Sequence, residues 1–145
     1  MAEIMHQVGV KADLEKVYQA ISTPAGVSNW WTKTEGEAQK GGRIDFFFGD
    51  EASPQVEVVA LEPNQLVVWK VSVGPDEWIG TEIQFRLEKD EDQVMVNFRH
   101  AGWKDSSGLL SLCSMKWAVF MLSLKEYLET GRGRPFPNDV QINHY

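Results

Sequence analysis

Histidine and cysteine are the side chains of this sequence that are best suited to acid–base or nucleophilic chemistry. The 145 residues include three histidines, of which His100 lies in an apolar segment, and one cysteine, Cys113. The charge of an imidazole changes near neutral pH, so His100 could act as a general base or orient a ligand carbonyl. Together with Cys113 it could also form a base and nucleophile pair.

Both residues also have a plain structural explanation. His100 ends an apolar strand pattern, where a histidine hydrogen-bonded to a loop is the commoner arrangement, and the sequence identifies no partner acid. Cys113 lies within the apolar stripe of a predicted helix, where a thiol usually packs without reacting. We therefore predict no catalytic residue, and the sequence favours a protein that is not an enzyme.

Metal and phosphate sites are not indicated by the spacing of the candidate ligands. His6, His100 and His144 are far apart, and the chain has no CxxC, HxH or HExxH motif. Gly41-Gly42 marks a turn rather than a phosphate-binding loop. We expect neither a metal nor a cofactor.

Three charged residues in neighbouring predicted strands have two alternative interpretations, a ligand site and a surface ion pair. Arg43 and Asp45 share a face of a predicted strand, and Glu57 lies across from them in the next strand. A buried arginine would hold a ligand carboxylate through its fork of donors. A solvated cross-strand ion pair on the outer face of the sheet is the simpler interpretation.

Six tryptophans are the unusual feature of the composition. Large rings fill cores and also line apolar cavities. Trp30 and Trp31 have two alternative interpretations. They could form a gate at the mouth of a pocket, or one ring could pack under a helix while the other caps the surface. Residue types leave open whether the rings enclose a cavity or close-pack. The predicted ligand-binding residues are Trp30, Trp31, Trp69, Phe85, Phe98, His100, Trp117, Phe120 and Met121.

The charge balance restricts the classes of partner. Fourteen basic against twenty-one acidic residues give a net charge of −7, which repels nucleic acid and anionic membranes. No apolar run reaches the length of a membrane span, and residues 1–7 lack the regions of a secretory signal. One cysteine excludes an internal disulfide and fits a reducing compartment. We expect a cytoplasmic protein that binds neither nucleic acid nor membrane.

Three helical patterns position these residues. Asp13, a favoured N-cap residue, precedes an apolar stripe at helical spacing, and Pro24 begins a second short helix. A long helix is predicted over residues 109–128, after capping residues at 105–107 and before Gly131. Its buried stripe is predicted to consist of Leu109, Leu112, Cys113, Trp117, Phe120, Leu124 and Leu128, with Leu110 and Met121 at its flanks.

Six strands are predicted from alternation and turn signals, at residues 4–11, 43–48, 55–61, 66–73, 78–87 and 93–100, with a charged hairpin tip at 89–92. One face is predicted to be buried and the other wet. The length fits one domain, which we expect to span residues 1–145. The buried face is predicted to carry Val67, Trp69, Val71, Val73, Thr81, Ile83, Phe85, Leu87, Val94, Val96, Phe98 and His100.

Three segments of the chain resemble the activator-of-Hsp90-ATPase-like branch of the START-like superfamily. They are Ser28-Asn29-Trp30-Trp31-Thr32, Gly41-Gly42-Arg43-Ile44 and the closing segment WAVFMLSLKEYLETGRGRPFP at residues 117–137. The resemblance covers nearly the whole chain. It implies an α+β helix-grip (Bet v 1/START-like) fold, in which a curved antiparallel sheet wraps around a long C-terminal helix, with two short helices after the first strand. It also implies a deep cavity between helix and sheet.

The function that the resemblance implies is binding of a hydrophobic or aromatic small molecule in that cavity, as lipids, sterols, hormones and polyketides are bound across the superfamily. A protein-interaction module of the co-chaperone type, using the outer sheet or the loops, is the alternative. The eukaryotic co-chaperones carry an extra N-terminal domain, for which we expect this chain to have no room. A cyclase- or hydrolase-type enzyme for a polyketide-like substrate, with His100 as base, is a second alternative. We expect a monomer or weak homodimer.

Overall fold

The computed structural model describes residues 1–106 and 108–144. Within this part of the chain, seven strands form one antiparallel sheet in the order β1-β7-β6-β5-β4-β3-β2. The predicted α+β helix-grip fold is confirmed. Its elements are β1 (Ala2–Val10), α1 (Leu14–Ser22), α2 (Pro24–Val27), β2 (Lys33–Gly36), β3 (Arg43–Phe47), β4 (Gln55–Glu62), β5 (Leu66–Val73), β6 (Glu82–Asp90), β7 (Gln93–Trp103) and α3 (Leu109–Thr130).

The register of the central strands produces the buried aromatic face. Phe85 of β6 lies opposite Phe98 of β7, and Ile83 lies opposite His100. On the other side of β6, Trp69 of β5 lies opposite Ile83. All five side chains are buried, because residues two apart in a strand share a face and this face is turned toward α3. The predicted alternation is confirmed for β6 and β7, whereas in β5 Leu66 and Val68, predicted to lie on the wet face, are buried as well.

The two short helices hold the Trp30-Trp31 segment beneath the long helix. The Thr23 hydroxyl accepts the backbone N–H of Gly26 at 2.9 Å, which caps α2. After α2, the indole N–H of Trp30 donates to the carbonyl of Ala20 in α1 at 2.7 Å. This bond lets a tryptophan side chain lie fully inside the core with its polar atom satisfied.

The long helix α3 spans 22 residues, about 33 Å at 1.5 Å per residue, enough to cross the sheet. It buries Cys113, Trp117, Phe120, Met121, Ser123 and Leu124. Gly131 ends it in the left-handed conformation at φ 89°, and its N–H donates to the carbonyl of Tyr127 at 2.8 Å. A glycine adopts this conformation without the steric cost of a Cβ, as predicted for this end.

The chain after α3 folds back along the helix. Ser123 donates its hydroxyl to the carbonyl of Trp30 and accepts the backbone N–H of Arg134, both at 2.8 Å. The backbone N–H of Phe136 then donates to the carbonyl of Trp31 at 2.8 Å, and its ring packs on Phe48 with centroids 5.3 Å apart. The returning segment therefore fixes both Trp31 and Phe48 beside α3.

Two strand predictions need correction. The predicted strand at 78–87 begins only at Glu82, because residues 75–80 form turns in which Trp78 donates its N–H to the carbonyl of Pro75. Gly80 lies in the left-handed region at φ 84°, which a strand residue does not adopt. The strand β2 was not predicted, since Thr34 is its buried residue and no apolar alternation marks it. The tip at 89–92 is shorter than predicted, because β6 continues to Asp90.

The ends of two elements and the burial of one residue also differ from the prediction. The N-cap of α3 is Gly108 rather than one of residues 105–107, of which Ser107 lies outside the described residues. The strand β7 continues past His100 to Trp103, because Ala2 of β1 pairs with it there. Val73, predicted to be buried, is 42% exposed, because β6 pairs with β5 only as far as Lys70.

Candidate functional site

Aromatic rings in mutual contact fill the centre of the space between the sheet and α3. Trp31 stacks parallel to Trp69, with centroids 6.3 Å apart and planes 6° apart. Trp117 contacts Trp31 at 4.8 Å and Phe98 at 4.4 Å between centroids. Phe85 meets Trp69 edge-on at 5.2 Å. Such tilted and edge-to-face contacts are the favoured geometries of packed aromatic residues, so these rings form a core rather than the walls of one deep cavity.

His100 lies inside this core with both ring nitrogens hydrogen-bonded. Its Nδ1 accepts the indole N–H of Trp117 at 3.2 Å, and its Nε2 lies 2.8 Å from the hydroxyl of Thr81. That hydroxyl donates its own proton to the carbonyl of Trp78 at 2.5 Å. His100 therefore carries its proton on Nε2 and donates it to Thr81, an assignment in which the N–H of Trp117, the N–H of His100 and the hydroxyl of Thr81 each have an acceptor.

Burial lowers the pKa of His100 to about 3, because a charged imidazolium would be desolvated there. The ring is thus neutral at physiological pH. Its Nδ1 lone pair is occupied by the Trp117 N–H, so neither nitrogen is available to take a proton from a substrate. The arrangement is that of a core histidine hydrogen-bonded to a turn.

A small apolar cleft opens at the edge of the aromatic core, against the first half of α3. Its volume is about 180 Å³, and apolar atoms make up nearly all of its wall. Two of its residues, Trp31 and Trp117, belong to the aromatic core as well. The lining residues are Trp31, Phe48, Trp78, Leu112, Cys113, Lys116, Trp117 and Phe120.

Trp78 and Cys113 meet in the wall of the cleft. The indole N–H of Trp78 donates to the sulfur of Cys113, with a nitrogen–sulfur distance of 3.4 Å. Burial raises the pKa of the Cys113 thiol, and the charge of Glu77 adds to this while the Trp78 hydrogen bond opposes it. A thiol with a raised pKa stays protonated at neutral pH, which argues against a nucleophilic cysteine.

Lys116 contributes the aliphatic part of its side chain to the cleft while its charge is paired elsewhere. Its ammonium contacts the carboxylate of Asp139 and lies 5.4 Å from the centroid of the Phe120 ring. The Asp139 side chain is 0% exposed, so its charge is buried. The ion pair joins α3 to the returning C-terminal segment. The cation over the ring adds a further favourable electrostatic contact.

The Arg43–Asp45 pair lies on the solvent side of the sheet. The Arg43 Nε atom is 3.1 Å from a carboxylate oxygen of Asp45, and the arginine side chain is largely exposed. The pair forms within β3 rather than across strands, although Glu57 does lie opposite Arg43 in β4. An exposed pair of this kind contributes little to stability and offers no buried carboxylate site.

The predicted ligand-binding residues fall into two groups. Trp31, Trp117 and Phe120 line the cleft. The others, His100 among them, are buried in the core: Trp30, Trp69, Phe85, Phe98 and Met121. Both Trp30 and Trp31 are buried, so neither caps the surface as one of them was expected to do. Direct contact of the predicted residues with a ligand stays a prediction.

Sequence patterns missed several residues of the cleft. Trp78 was placed at the start of a strand, and Leu112 was assigned to the buried stripe of α3, whereas it is 40% exposed at the cleft. Phe48, Cys113 and Lys116 were not predicted to bind a ligand. One signal could have found Trp78, since a large aromatic residue between Gly74-Pro75 and Gly80 lies in a turn region and still needs an apolar contact.

Across residues 1–106 and 108–144, no group of three or more His, Cys, Asp or Glu side chains is arranged to hold a metal ion. Over the same residues, no helix combines the length and the apolar character needed to cross a membrane.

Comparison with known proteins identifies the family. The sequence pattern of the family described as activator of Hsp90 ATPase homolog 1-like protein matches residues 11–129. The chain belongs to this family. The matched segment contains every residue that lines the cleft, together with His100.

Solved structures of similar proteins agree with this family assignment. The solution structure of the Aha1 dimer from Colwellia psychrerythraea is 42% identical, with a TM-score of 0.82, covering 92% of this chain and 100% of that one. CalU16 from Micromonospora echinospora is 17% identical, with a TM-score of 0.81 and coverages of 99% and 75%. SSP2350 from Staphylococcus saprophyticus is 20% identical, with a TM-score of 0.75 and coverages of 92% and 97%. The last two show the fold alone. None of the curated proteins matches the chain.

Proposed function

We propose that this member of the activator-of-Hsp90-ATPase-like family binds a small, uncharged aromatic molecule in the cleft between Trp78 and α3. The observation that supports it is an apolar cavity of about 180 Å³ walled mainly by aromatic rings. An apolar cavity of roughly 150 Å³ in another protein stays dry and binds benzene, so a cavity of this size and chemistry is suited to such a ligand.

The size of the cleft narrows the ligand class. Pockets for drug-sized molecules measure about 300–1,000 Å³, well above the cavity found here. One ring or two fused rings fit the available volume, whereas most of a sterol or a polyketide would remain outside the cleft unless the walls moved apart. The close contact between Trp31 and Trp117 opposes such a movement, because separating packed rings forfeits their contacts.

The state of His100 favours binding over turnover. A cyclase- or hydrolase-type enzyme would need the imidazole as a base, and both of its nitrogens are already engaged with Trp117 and Thr81. Its lowered pKa also makes it a weak base. The Cys113 thiol, with a raised pKa, offers no alternative nucleophile.

A thermal-shift titration with indane, indole, naphthalene and cholesterol tests this proposal. At about one hundred times its dissociation constant, a ligand should add roughly 2.7 kcal/mol of stability, on the order of 5–10 °C in Tm. We expect a shift for the one- and two-ring compounds and none for cholesterol. The absence of a shift for all of them would contradict the proposal.

A matched pair of variants locates the site. Leu112→Trp places an indole ring in the cleft, at a residue exposed enough to accept it. This variant should abolish the ligand-induced rise in Tm. Val73→Trp adds the same ring at an exposed residue at the end of β5, outside the cleft, and should leave the shift intact. Equal shifts in both variants would place the ligand elsewhere.

Self-association is a second candidate function, favoured by the outer face of α3, which we define as Leu112, Met115, Val119 and Leu122. These residues lie along one side of the helix, and Met115 and Leu122 are 55% and 61% exposed. Within residues 109–124 Lys116 is the sole charged residue, and Asp139 neutralises it.

The charge distribution restricts where two copies of the chain can meet. Two copies with a net charge of −7 repel each other, so an apolar face without unpaired charge is where they can approach most closely. The 42% identical protein from Colwellia psychrerythraea is described as a dimer. We propose that this chain pairs through the outer face of α3 about a two-fold axis. A chaperone partner and a cytoplasmic location remain expectations from the family and from the single cysteine.

A further inference from the structure

A hydrogen-bond donor with a weak acceptor belongs to a residue that lines the cleft. Polar atoms contribute almost nothing to the present wall, so the donor is covered and the Cys113 thiol must turn aside before a ligand can reach it. The indole N–H of Trp78 donates to the sulfur of Cys113 over 3.4 Å, and both residues line the cavity. A thiol sulfur is a weaker acceptor than a carbonyl oxygen or a neutral ring nitrogen. A ligand atom that accepts this N–H would therefore replace a poor hydrogen bond with a better one.

The other hydrogen-bond donors among the cleft residues have stronger acceptors than a thiol sulfur. The indole N–H of Trp117 donates to Nδ1 of His100, a nitrogen that would be left buried and unsatisfied if the bond broke. The ammonium of Lys116 contacts the buried carboxylate of Asp139. Breaking the hydrogen bond between Trp78 and Cys113 therefore costs the least free energy of the three. Without it, Cys113 remains as a small apolar side chain with no unsatisfied strong acceptor.

We propose that Trp78 selects aromatic ligands that carry one neutral hydrogen-bond acceptor, such as a ketone oxygen or a ring nitrogen. This inference rests on the proposed ligand-binding function of the cleft. Ligands with a carboxylate are disfavoured, because the wall is almost wholly apolar and Lys116 is already neutralised, so the lost hydration of a charge is not compensated.

The expected gain in ligand affinity comes from the new hydrogen bond that the Trp78 N–H makes to the ligand. A net hydrogen bond between neutral groups contributes about three- to tenfold in affinity. A ketone is also better hydrated than a methylene group, so raw affinities of a ketone and a hydrocarbon do not report the bond. The change in their affinity ratio on removing the Trp78 N–H does report it, as in a double-mutant cycle.

The test uses 1-indanone and indane, two ring systems of nearly the same shape that differ in one carbonyl oxygen. Calorimetric titration of the intact chain and of Trp78→Phe should show the preference for 1-indanone falling about three- to tenfold in the variant. Trp103→Phe is the matched control, since it removes a buried indole N–H that has no partner among residues 1–106 and 108–144, and Trp103 does not line the cleft. Its ratio should equal that of the unmodified chain.

Two further readouts guard against a variant that fails to fold. Cys113→Ala removes the competing acceptor and should raise the preference for 1-indanone. In the unmodified chain labelled with ¹⁵N, 1-indanone should shift one indole N–H resonance that indane leaves in place. Cys113→Ala with an unchanged ratio would argue against the proposal.

The outcomes separate the two levels of the hypothesis. Binding of both compounds with an affinity ratio that Trp78→Phe leaves unchanged overturns the role of Trp78 while the cleft remains a binding site. Absence of binding for both compounds overturns the proposed function and this inference with it. A reduced ratio in Trp78→Phe, but not in Trp103→Phe, supports both.

Discussion

Trp117 of α3 and Trp78 of the 75–80 turn are joined through one continuous chain of hydrogen bonds. Trp117 donates to His100 in β7 at 3.2 Å, and His100 donates to Thr81 at 2.8 Å. Thr81 in turn donates to the carbonyl of Trp78 at 2.5 Å. The chain connects helix, sheet and turn, and its two ends both line the apolar cleft. Polar groups buried between these rings therefore position the residues of the candidate site.

The neutral state of His100 should make stability depend on pH. Burial lowers its pKa to about 3, whereas an unfolded histidine titrates near about 6.5. Between these values the unfolded chain binds a proton that the folded chain does not. The free energy of unfolding should therefore fall as pH decreases through this window, by up to about 1.4 kcal/mol per pH unit.

Urea unfolding of the unmodified chain and of His100→Gln at pH 7, 6 and 5 measures how much His100 contributes to the pH dependence of the free energy of unfolding. Above about pH 7 the contribution of His100 is fully present, and few carboxylates titrate before pH 5. The variant should lose less stability over this range than the unmodified chain. Parallel losses in the two proteins would show that His100 is accessible to protons in the folded state.

Truncation of Trp117 should weaken both folding and ligand binding. Trp117→Ala removes a ring that contacts Trp31 and Phe98 and should lower the free energy of unfolding by about 3–5 kcal/mol. Trp117→Phe keeps most of the ring but leaves Nδ1 of His100 without its donor, so we expect a loss of about 1–3 kcal/mol. Chemical denaturation and the indane titration measure the two effects, and unchanged folding and binding in Trp117→Ala would refute this placement.

The ion pair between Lys116 and Asp139 should respond differently to single and double substitution. Lys116→Met leaves a carboxylate that is 0% exposed without its cation and should cost about 3 kcal/mol. Lys116→Met combined with Asp139→Leu should return to within about 1 kcal/mol of the unmodified chain. The more exposed pair Arg99–Glu3 is the control, where Arg99→Ala should change stability by less than about 1 kcal/mol. Similar costs for the two single variants, measured by denaturation, would contradict the expected difference.

Self-association through the outer face of α3 should be sensitive to added charge. Leu122→Glu places one carboxylate of each copy at the proposed two-fold interface, and sedimentation equilibrium should show a shift toward the monomer. Val73→Glu adds the same charge at an exposed residue at the end of β5 and should leave the equilibrium nearly unchanged. A monomer at all concentrations of the unmodified chain would rule out the pairing.

Local periodicity was enough to predict the central strands of the sheet and the long helix. Phe85 and Phe98 were assigned to one buried face because alternation depends only on neighbouring residues, and the register places them opposite each other. Gly131 was predicted to end α3 for an equally local reason. The short strand β2 escaped prediction because one buried residue, Thr34, provides no period.

The cleft could be predicted only in part, because its shape depends on contacts between distant segments. Trp31 and Trp117 were candidates as large rings near the helix, and they do line the cleft. Trp78 reaches it through a turn whose direction is set by bonds to Pro75 and Thr81, which alternation does not encode. Leu112 lies at the cleft because the sheet leaves that side of α3 uncovered, a feature of the tertiary structure alone.

Leu112 belongs both to the cleft and to the outer face of α3, and this double membership has a consequence for regulation. A ligand that holds Leu112 against the cleft changes the surface offered to a second copy of the chain, and a second copy that covers Leu112 changes access to the cleft. If the ligand binding and the pairing proposed above both occur, the two equilibria are linked, and each alters the other by the same factor. The cellular abundance of such a protein would itself set how much of its ligand it retains.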